Sequence, residues 1–169
     1  RGFSVTADPA SGAWEVDLPA MPPSTSAVDI AIKSSSFSIT LKDVLFGETY
    51  LCSGQSNMQL NVRMTNNSAW EVARAASLPD HFRIMQVADL PSYYNVSTPQ
   101  TNLSLSVPWG RPSTDNVPYM SAACYYFGVE RIKEHPNMPV GMIASSWGGT
   151  AIETWMTPAA LASCGVANS

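Results

Sequence analysis

Three short apolar runs, each closed by small or turn-forming residues and separated by helical stretches, leave this chain few folds to choose from. Tyr50-Leu51-Cys52 runs into Ser53-Gly54, as a buried strand entering a tight turn would. Phe82–Val87 reads as a second strand. Pro139-Val140-Gly141-Met142-Ile143-Ala144 reads as a third and leads into Ser145-Ser146-Trp147-Gly148-Gly149. Between the first two, Ser68-Ala69-Trp70-Glu71 fits a capping box, opening a helix that reaches Ser77 before Pro79. Residues 120–134 give the clearest helix, with Met120, Ala123, Cys124, Phe127 and Ile132 near one face, and His135-Pro136-Asn137 ends it. Thr150-Ala151-Ile152-Glu153 is a second capping box that places a helix start at the glycine turn. Thr157-Pro158 opens another helix with proline at its first position. Strand and helix in alternation predict an α/β fold, a parallel sheet covered on both sides. The stretch 90–118 is rich in Pro, Ser, Thr and Asn and reads as a long loop.

Before residue 44 the pattern is different. Trp14, Val16 and Leu18 alternate with polar neighbours, as do Phe37, Ile39 and Leu41, and Pro19, Pro22 and Pro23 with Ser24, Thr25 and Ser26 read as the turn between two strands. Residues 1–43 are therefore expected to be a partial β-rich unit, the end of a β-sandwich, and residues 44–169 the α/β unit. With 169 residues, 45% of them hydrophobic, the chain can bury one sizeable core and part of a second.

Charge and composition remove several functions. A net charge of -4 with no basic cluster argues against nucleic acid as a partner. No apolar run approaches the roughly 20 residues of a membrane span. Arg1-Gly2-Phe3 does not open a secretion signal, so an export leader would lie upstream. Cys52 and Cys124 lie among apolar residues and read as small core residues, while Cys164 is free to pair with a cysteine outside the chain. The three cysteines match no zinc spacing, and nothing calls for a metal or organic cofactor. Asn66, Asn95 and Asn102 each head an N-x-[ST] acceptor, which favours a secreted or lysosomal protein over chance triplets in a Ser/Asn-rich chain.

Chemistry concentrates in Ser53-Gly54-Gln55-Ser56-Asn57-Met58. A strand that ends in a sharp turn can hold a serine hydroxyl clear of the sheet, at the carboxyl edge where α/β proteins place their sites. The match to the G-x-S-x-G elbow is partial, because Met58 stands where glycine is wanted. A plain turn role for Ser56 is the competing reading on pattern alone.

The block Tyr50-Leu51-Cys52-Ser53-Gly54-Gln55-Ser56-Asn57-Met58 strongly resembles the sialate O-acetylesterase family. So does Ser146-Trp147-Gly148-Gly149-Thr150-Ala151-Ile152-Glu153-Thr154-Trp155, together with the lead-in Asp43-Val44-Leu45-Phe46-Gly47-Glu48 and the helix over 121–127. The resemblance covers nearly the whole chain. It implies a flavodoxin-like, three-layer parallel sheet of the SGNH-hydrolase type, present here as an incomplete amino-terminal portion. It also implies a serine esterase acting on O-acetylated sialic acid or a sialoglycan.

On that resemblance Ser56 attacks the acetyl carbonyl and holds the acetyl group as an ester. The backbone N–H of Ser56 faces the oxyanion, with a second N–H from the glycine pair, assigned to Gly149, aided by the dipole of a helix starting at Thr150. Gln55 and Asn57 flank the nucleophile and position it or the sugar, or simply make the turn. Gly148 is either part of the site or of an ordinary strand-to-helix turn. Glu153 has a capping role that competes with a site role, and core packing is the default for Trp147 and Trp155.

A serine hydrolase also needs a base and a group to orient it. His81 precedes a strand and His135 closes a helix, so both are expected at the amino edge of the sheet, away from Ser56, as surface residues. The family's Asp and His, near the end of its catalytic domain, are expected in a carboxyl-terminal part beyond these residues, leaving this chain inactive alone. Two alternatives stand beside the sialic acid esterase: an acetylesterase for other acetylated glycans such as xylan, and a non-catalytic carbohydrate-binding fragment.

Overall fold

The computed structural model describes residues 2–89 and 102–165. Two sheets are present among them. A two-stranded ribbon pairs β1 (Ser24–Lys33) antiparallel with β2 (Ser38–Phe46). A four-stranded sheet holds β3 (Glu48–Gly54), β4 (Phe82–Val87), β5 (Leu105–Gly110) and β6 (Val140–Ser146) in the order β3-β6-β4-β5. Three helices accompany them: α1 (Ser68–Arg74), α2 (Ala122–Glu134) and α3 (Pro158–Ser163).

The sheet is built around β6, which pairs in parallel with β3 on one side and β4 on the other. Alternation sends Val140, Met142 and Ala144 of β6 and Phe82 and Ile84 of β4 to one face, where all five are buried. Helix α2 covers that face with Cys124, Tyr125, Val129 and Ile132. The approach is close at Gly128, where a Cβ would come within 2.6 Å of Met142 Cγ and 2.8 Å of the Phe82 ring. Tyr125 donates its hydroxyl proton to Glu71 of α1 at 3.1 Å, and Glu71 also pairs with Arg74 at 2.6 Å, so the buried carboxylate is satisfied twice.

The α/β class and the three parallel strands match expectation; several finer features do not. β5, inside the stretch read as a loop, runs antiparallel to β4 at an edge, where Pro108 is tolerated because one side of the strand needs no donor. On the face opposite α2, Leu51 is 68% exposed rather than covered. Residues 2–23 hold no strand, and Trp14, Val16 and Leu18 are exposed. Alternation alone does not make a strand without a partner to pair with, and the segment that found one begins at Ser24, inside the expected turn. β2 runs across residues 43 and 44 with Asp43 in the left-handed region (φ 57°), and its carboxylate holds Arg83 of β4 at 2.7 Å.

Both capping boxes are corrected. Ser68 is the first residue of α1, not its cap; Asn67 precedes it at φ 58° with no side-chain cap bond, and Glu71 turns inward to Tyr125 and Arg74. No helix starts at Thr150. Its hydroxyl donates to the Trp147 carbonyl at 2.7 Å and accepts from the Trp155 indole at 2.9 Å, leaving one 3-10 turn over Ile152–Trp155. The Thr157-Pro158 helix is as expected, with the Thr157 hydroxyl accepting from the Ala160 N–H at 3.2 Å.

The cysteines require a further correction. Cys52 of β3 and Cys124 of α2 form a disulfide, with Cα atoms 5.8 Å apart and 72 residues between them in sequence. They are indeed inward-facing, but bonded rather than merely packed. Cys164 is an exposed free thiol.

Candidate active site

The chain leaves β3 through Gly54, extends at Gln55 (φ -124°, ψ 179°) and then bends at Ser56, whose φ is 48°. A side chain in the left-handed region costs about 1–3 kcal/mol and persists only where its surroundings hold it. Here they do. The Ser56 carbonyl accepts from the N–H groups of Gln59 at 2.8 Å and Leu60 at 3.2 Å, closing the 3-10 turn Ser56–Met58. The buried Ser121 hydroxyl, at the cap of α2, donates to the Met58 carbonyl at 2.5 Å. Ser121 is itself fixed by its N–H bond to Gln86 Oε1 at 2.6 Å. Ser56 is exposed at the carboxyl edge of the sheet, and its hydroxyl donates to Gln55 Oε1. Asn57 is exposed in the same turn.

The second turn follows β6. Trp147 N–H donates to the Gly54 carbonyl at 2.9 Å, continuing the ladder past the strand ends. Gly148 N–H then donates to Gln59 Oε1 at 2.7 Å. A Cβ on Gly148 would displace that oxygen, the far end of the Gln59 side chain, and lie 3.8 Å from the Ser56 nitrogen, so the glycine lets Gln59 reach the backbone beside the serine turn. Gly149 comes next, exposed, with φ 79°. Gln59 is the hinge of the arrangement: its Oε1 takes the Gly148 amide, and its Nε2 donates to Asp89, just past β4. One side chain thereby ties the carboxyl ends of β3, β4 and β6.

Ser56, Gln59, Asn61, Met64, Asp89 and Tyr119 line a common cleft of about 540 Å³, a volume in the range of small-ligand sites. Sequence reasoning passed over every one of these except Ser56. Polar residues two to five positions after a strand end were the available signal at Gln59 and Asp89. Glu153 is exposed in the Ile152–Trp155 turn and does not line the cleft. Trp155 is spent on Thr150, and Trp147 is half-buried. With no helix at Thr150, the dipole expected there falls away.

The histidines lie at the other edge. His81 accepts the Val140 N–H through its carbonyl at 3.1 Å, beside the first residues of β4 and β6; burial and the nearby Arg83 charge push its pKa down. His135 caps the carboxyl end of α2 and is exposed. Among the described residues neither lines the cleft. Asn66 and Asn102 are exposed, while Asn95 lies outside the described residues. The described residues hold no group of three or more side chains suited to a metal ion.

Comparison with known proteins gives a consistent result. Residues 47–164 match the family model described as carbohydrate esterase, sialic acid-specific acetylesterase. The sialate O-acetylesterase of Homo sapiens is 34% identical over 164 residues, and that of Mus musculus 35% over 167. These alignments cover 92% and 94% of this chain but 30% of each relative, so the chain spans about a third of their length. A carbohydrate acetylesterase from Xanthomonas citri, solved as a crystal structure, superposes with a TM-score of 0.75 at 29% identity, over 92% of this chain and 33% of that one.

Proposed function

The chain belongs to the carbohydrate esterase, sialic acid-specific acetylesterase family, and from that premise we propose that it supplies the nucleophile of an O-acetylesterase acting on sialic acids. The observation that carries this reading is the exposed hydroxyl of Ser56, held on a left-handed turn at the carboxyl edge of parallel strands, with a glycine turn packed against it.

In the proposed reaction Ser56 Oγ attacks the acetyl carbon and the sugar oxygen leaves, giving an acetyl-enzyme that water then hydrolyses. Two amides would stabilise the oxyanion, those of Ser56 and Gly149. The choice of Gly149 follows from Gly148, whose N–H is already given to Gln59. Each such donor is worth about 3 kcal/mol of barrier. Gln55, hydrogen-bonded to the hydroxyl, sets its resting orientation. Because His81 and His135 stand at the opposite edge, the general base and its orienting acid would come from a segment outside these residues. No chain segment among those described is a helix long and apolar enough to cross a membrane. The disulfide and the exposed acceptors Asn66 and Asn102 support a secreted or lysosomal setting, where thiols are oxidised and asparagines glycosylated.

The test uses the intact polypeptide that carries this chain. A fluorophosphonate probe should label it, and Ser56→Ala should abolish both labelling and turnover of a 9-O-acetylated sialoside. Labelling that survives in Ser56→Ala would overturn the assignment of the nucleophile, and no labelling of the parent would favour a carbohydrate-binding role. The similarity to the Xanthomonas citri carbohydrate acetylesterase motivates a second substrate class; faster turnover of acetylated xylan than of the sialoside would establish it.

A further inference from the structure

Six arginines occur in the sequence, and five lie in the described residues. Four of those five have a carboxylate beside them: Arg74 with Glu71, Arg83 with Asp43, Arg111 with Asp80, and Arg131 with Glu48, at 2.6–2.8 Å. Arg63 has no ion-pair partner among the described residues, and residues 90–101 contain no Asp or Glu. Its guanidinium instead lies over the ring of Tyr119, 5.1 Å from the centroid. Tyr119 is about half exposed and lines the same cleft as Ser56.

This pair stands on a rigid base. Val62 N–H donates to the Met120 carbonyl at 3.0 Å, and Ala122 N–H to the Leu60 carbonyl at 2.7 Å, forming an antiparallel bridge around Asn61 and Ser121. Asn61 Nδ2 adds a bond to the Tyr119 carbonyl at 3.0 Å. Val62, Met120 and Ser121 are fully buried. Ser121 is also the residue that pins the serine turn, so the aromatic-cation pair and the nucleophile are fixed to one frame.

Charge gives the cleft a direction. Asp89, beside Gln59, is the carboxylate among its lining residues and repels an anion from that end. Arg63 does not itself line the cleft, but it lies against Tyr119, which does, and with no ion-pair partner among the described residues it attracts an anion toward that side. We infer that Tyr119 and Arg63 form a subsite for an acidic sugar, the ring of the sugar lying on Tyr119 and its carboxylate meeting Arg63. The chemical class of ligand rests on the esterase reading; the subsite itself is testable without turnover.

The measurement is binding to the intact protein in its Ser56→Ala form, by saturation-transfer NMR titration. The ligands are the methyl glycoside of N-acetylneuraminic acid and the same glycoside with its carboxyl group as a methyl ester. The free acid should bind about tenfold more tightly than the ester, the contribution of one charge-assisted contact. Arg63→Ala should erase that preference, and Arg63→Lys should restore part of it, while ester binding is unchanged in both. Tyr119→Ala should weaken acid and ester equally. Equal affinity of the parent for acid and ester, failure of the parent to bind either, or a preference that survives Arg63→Ala would each overturn the subsite. Failure of the esterase reading shows separately, as fluorophosphonate labelling that does not depend on Ser56.

Discussion

The two edges of the four-stranded sheet are made from the same three parallel strands and are treated in opposite ways. At the amino edge, Glu48 accepts from Arg131 at 2.8 Å on each oxygen and from the Tyr50 hydroxyl at 2.5 Å, so this carboxylate and guanidinium satisfy each other. At the carboxyl edge, a serine is strained and exposed, and an arginine stands with no carboxylate beside it among the described residues. Satisfied groups lower energy and stay still; unsatisfied ones keep interaction energy in reserve for a ligand. The difference is one reason to propose the carboxyl edge as the site of the chemistry.

That contrast can be broken most sharply at Ser56. Ser56→Ala in the intact protein should lower turnover by about four orders of magnitude or more while leaving the urea midpoint nearly unchanged. Loss of stability in parallel would mean that the residue serves the fold. Next in size is the staple that fixes β3 to α2. Replacing Cys52 and Cys124 together with serine releases a closure spanning 72 residues and should cost roughly 2–4 kcal/mol in urea unfolding.

A smaller effect tests the strain directly. Ser56→Gly removes the penalty of the left-handed backbone and should raise the melting temperature, by up to about 1 kcal/mol of stability, while abolishing labelling. A variant that melts lower would show that the turn is not strained. The finest effect belongs to the amino edge. Hydrogen bonds from Arg131, then Tyr50, hold the Glu48 pKa down to about 2, below its ordinary 4.5. A depressed carboxylate contributes stability that is complete above pH 4.5 and is lost as pH falls toward 2. Glu48→Gln should flatten that part of the stability profile and leave fluorophosphonate labelling untouched; an unaltered acid limb would remove Glu48 from the account.

Legibility in the sequence followed the range of the forces involved. β4, β6 and α2 were readable because Phe82–Val87, Val140–Ser146 and Ala122–Glu134 carry their own apolar patterning. The Ser56 turn was readable because glycine, serine and asparagine crowd the end of an apolar run. What depended on distant partners was not. The Thr150 capping box lost to a tryptophan five residues on, and the Cys52–Cys124 bond required a helix folded back over the strand. Gln59 and Arg63 resemble any polar surface residues until the chain brings Gly148, Asp89 and Tyr119 alongside.

The bond from Ser121 to the Met58 carbonyl bears on how far the serine motif can be moved. Residues 53–58 are contiguous, yet what keeps their backbone bent arrives from a hydroxyl 63 positions later and from a glutamine amide beneath it. Transplanted into another protein as a hexapeptide, the segment would relax to an ordinary loop. A graft that keeps its shape must carry the opening of α2 and the end of β4 with it, so the smallest portable unit is a slab of the sheet rather than a sequence signature.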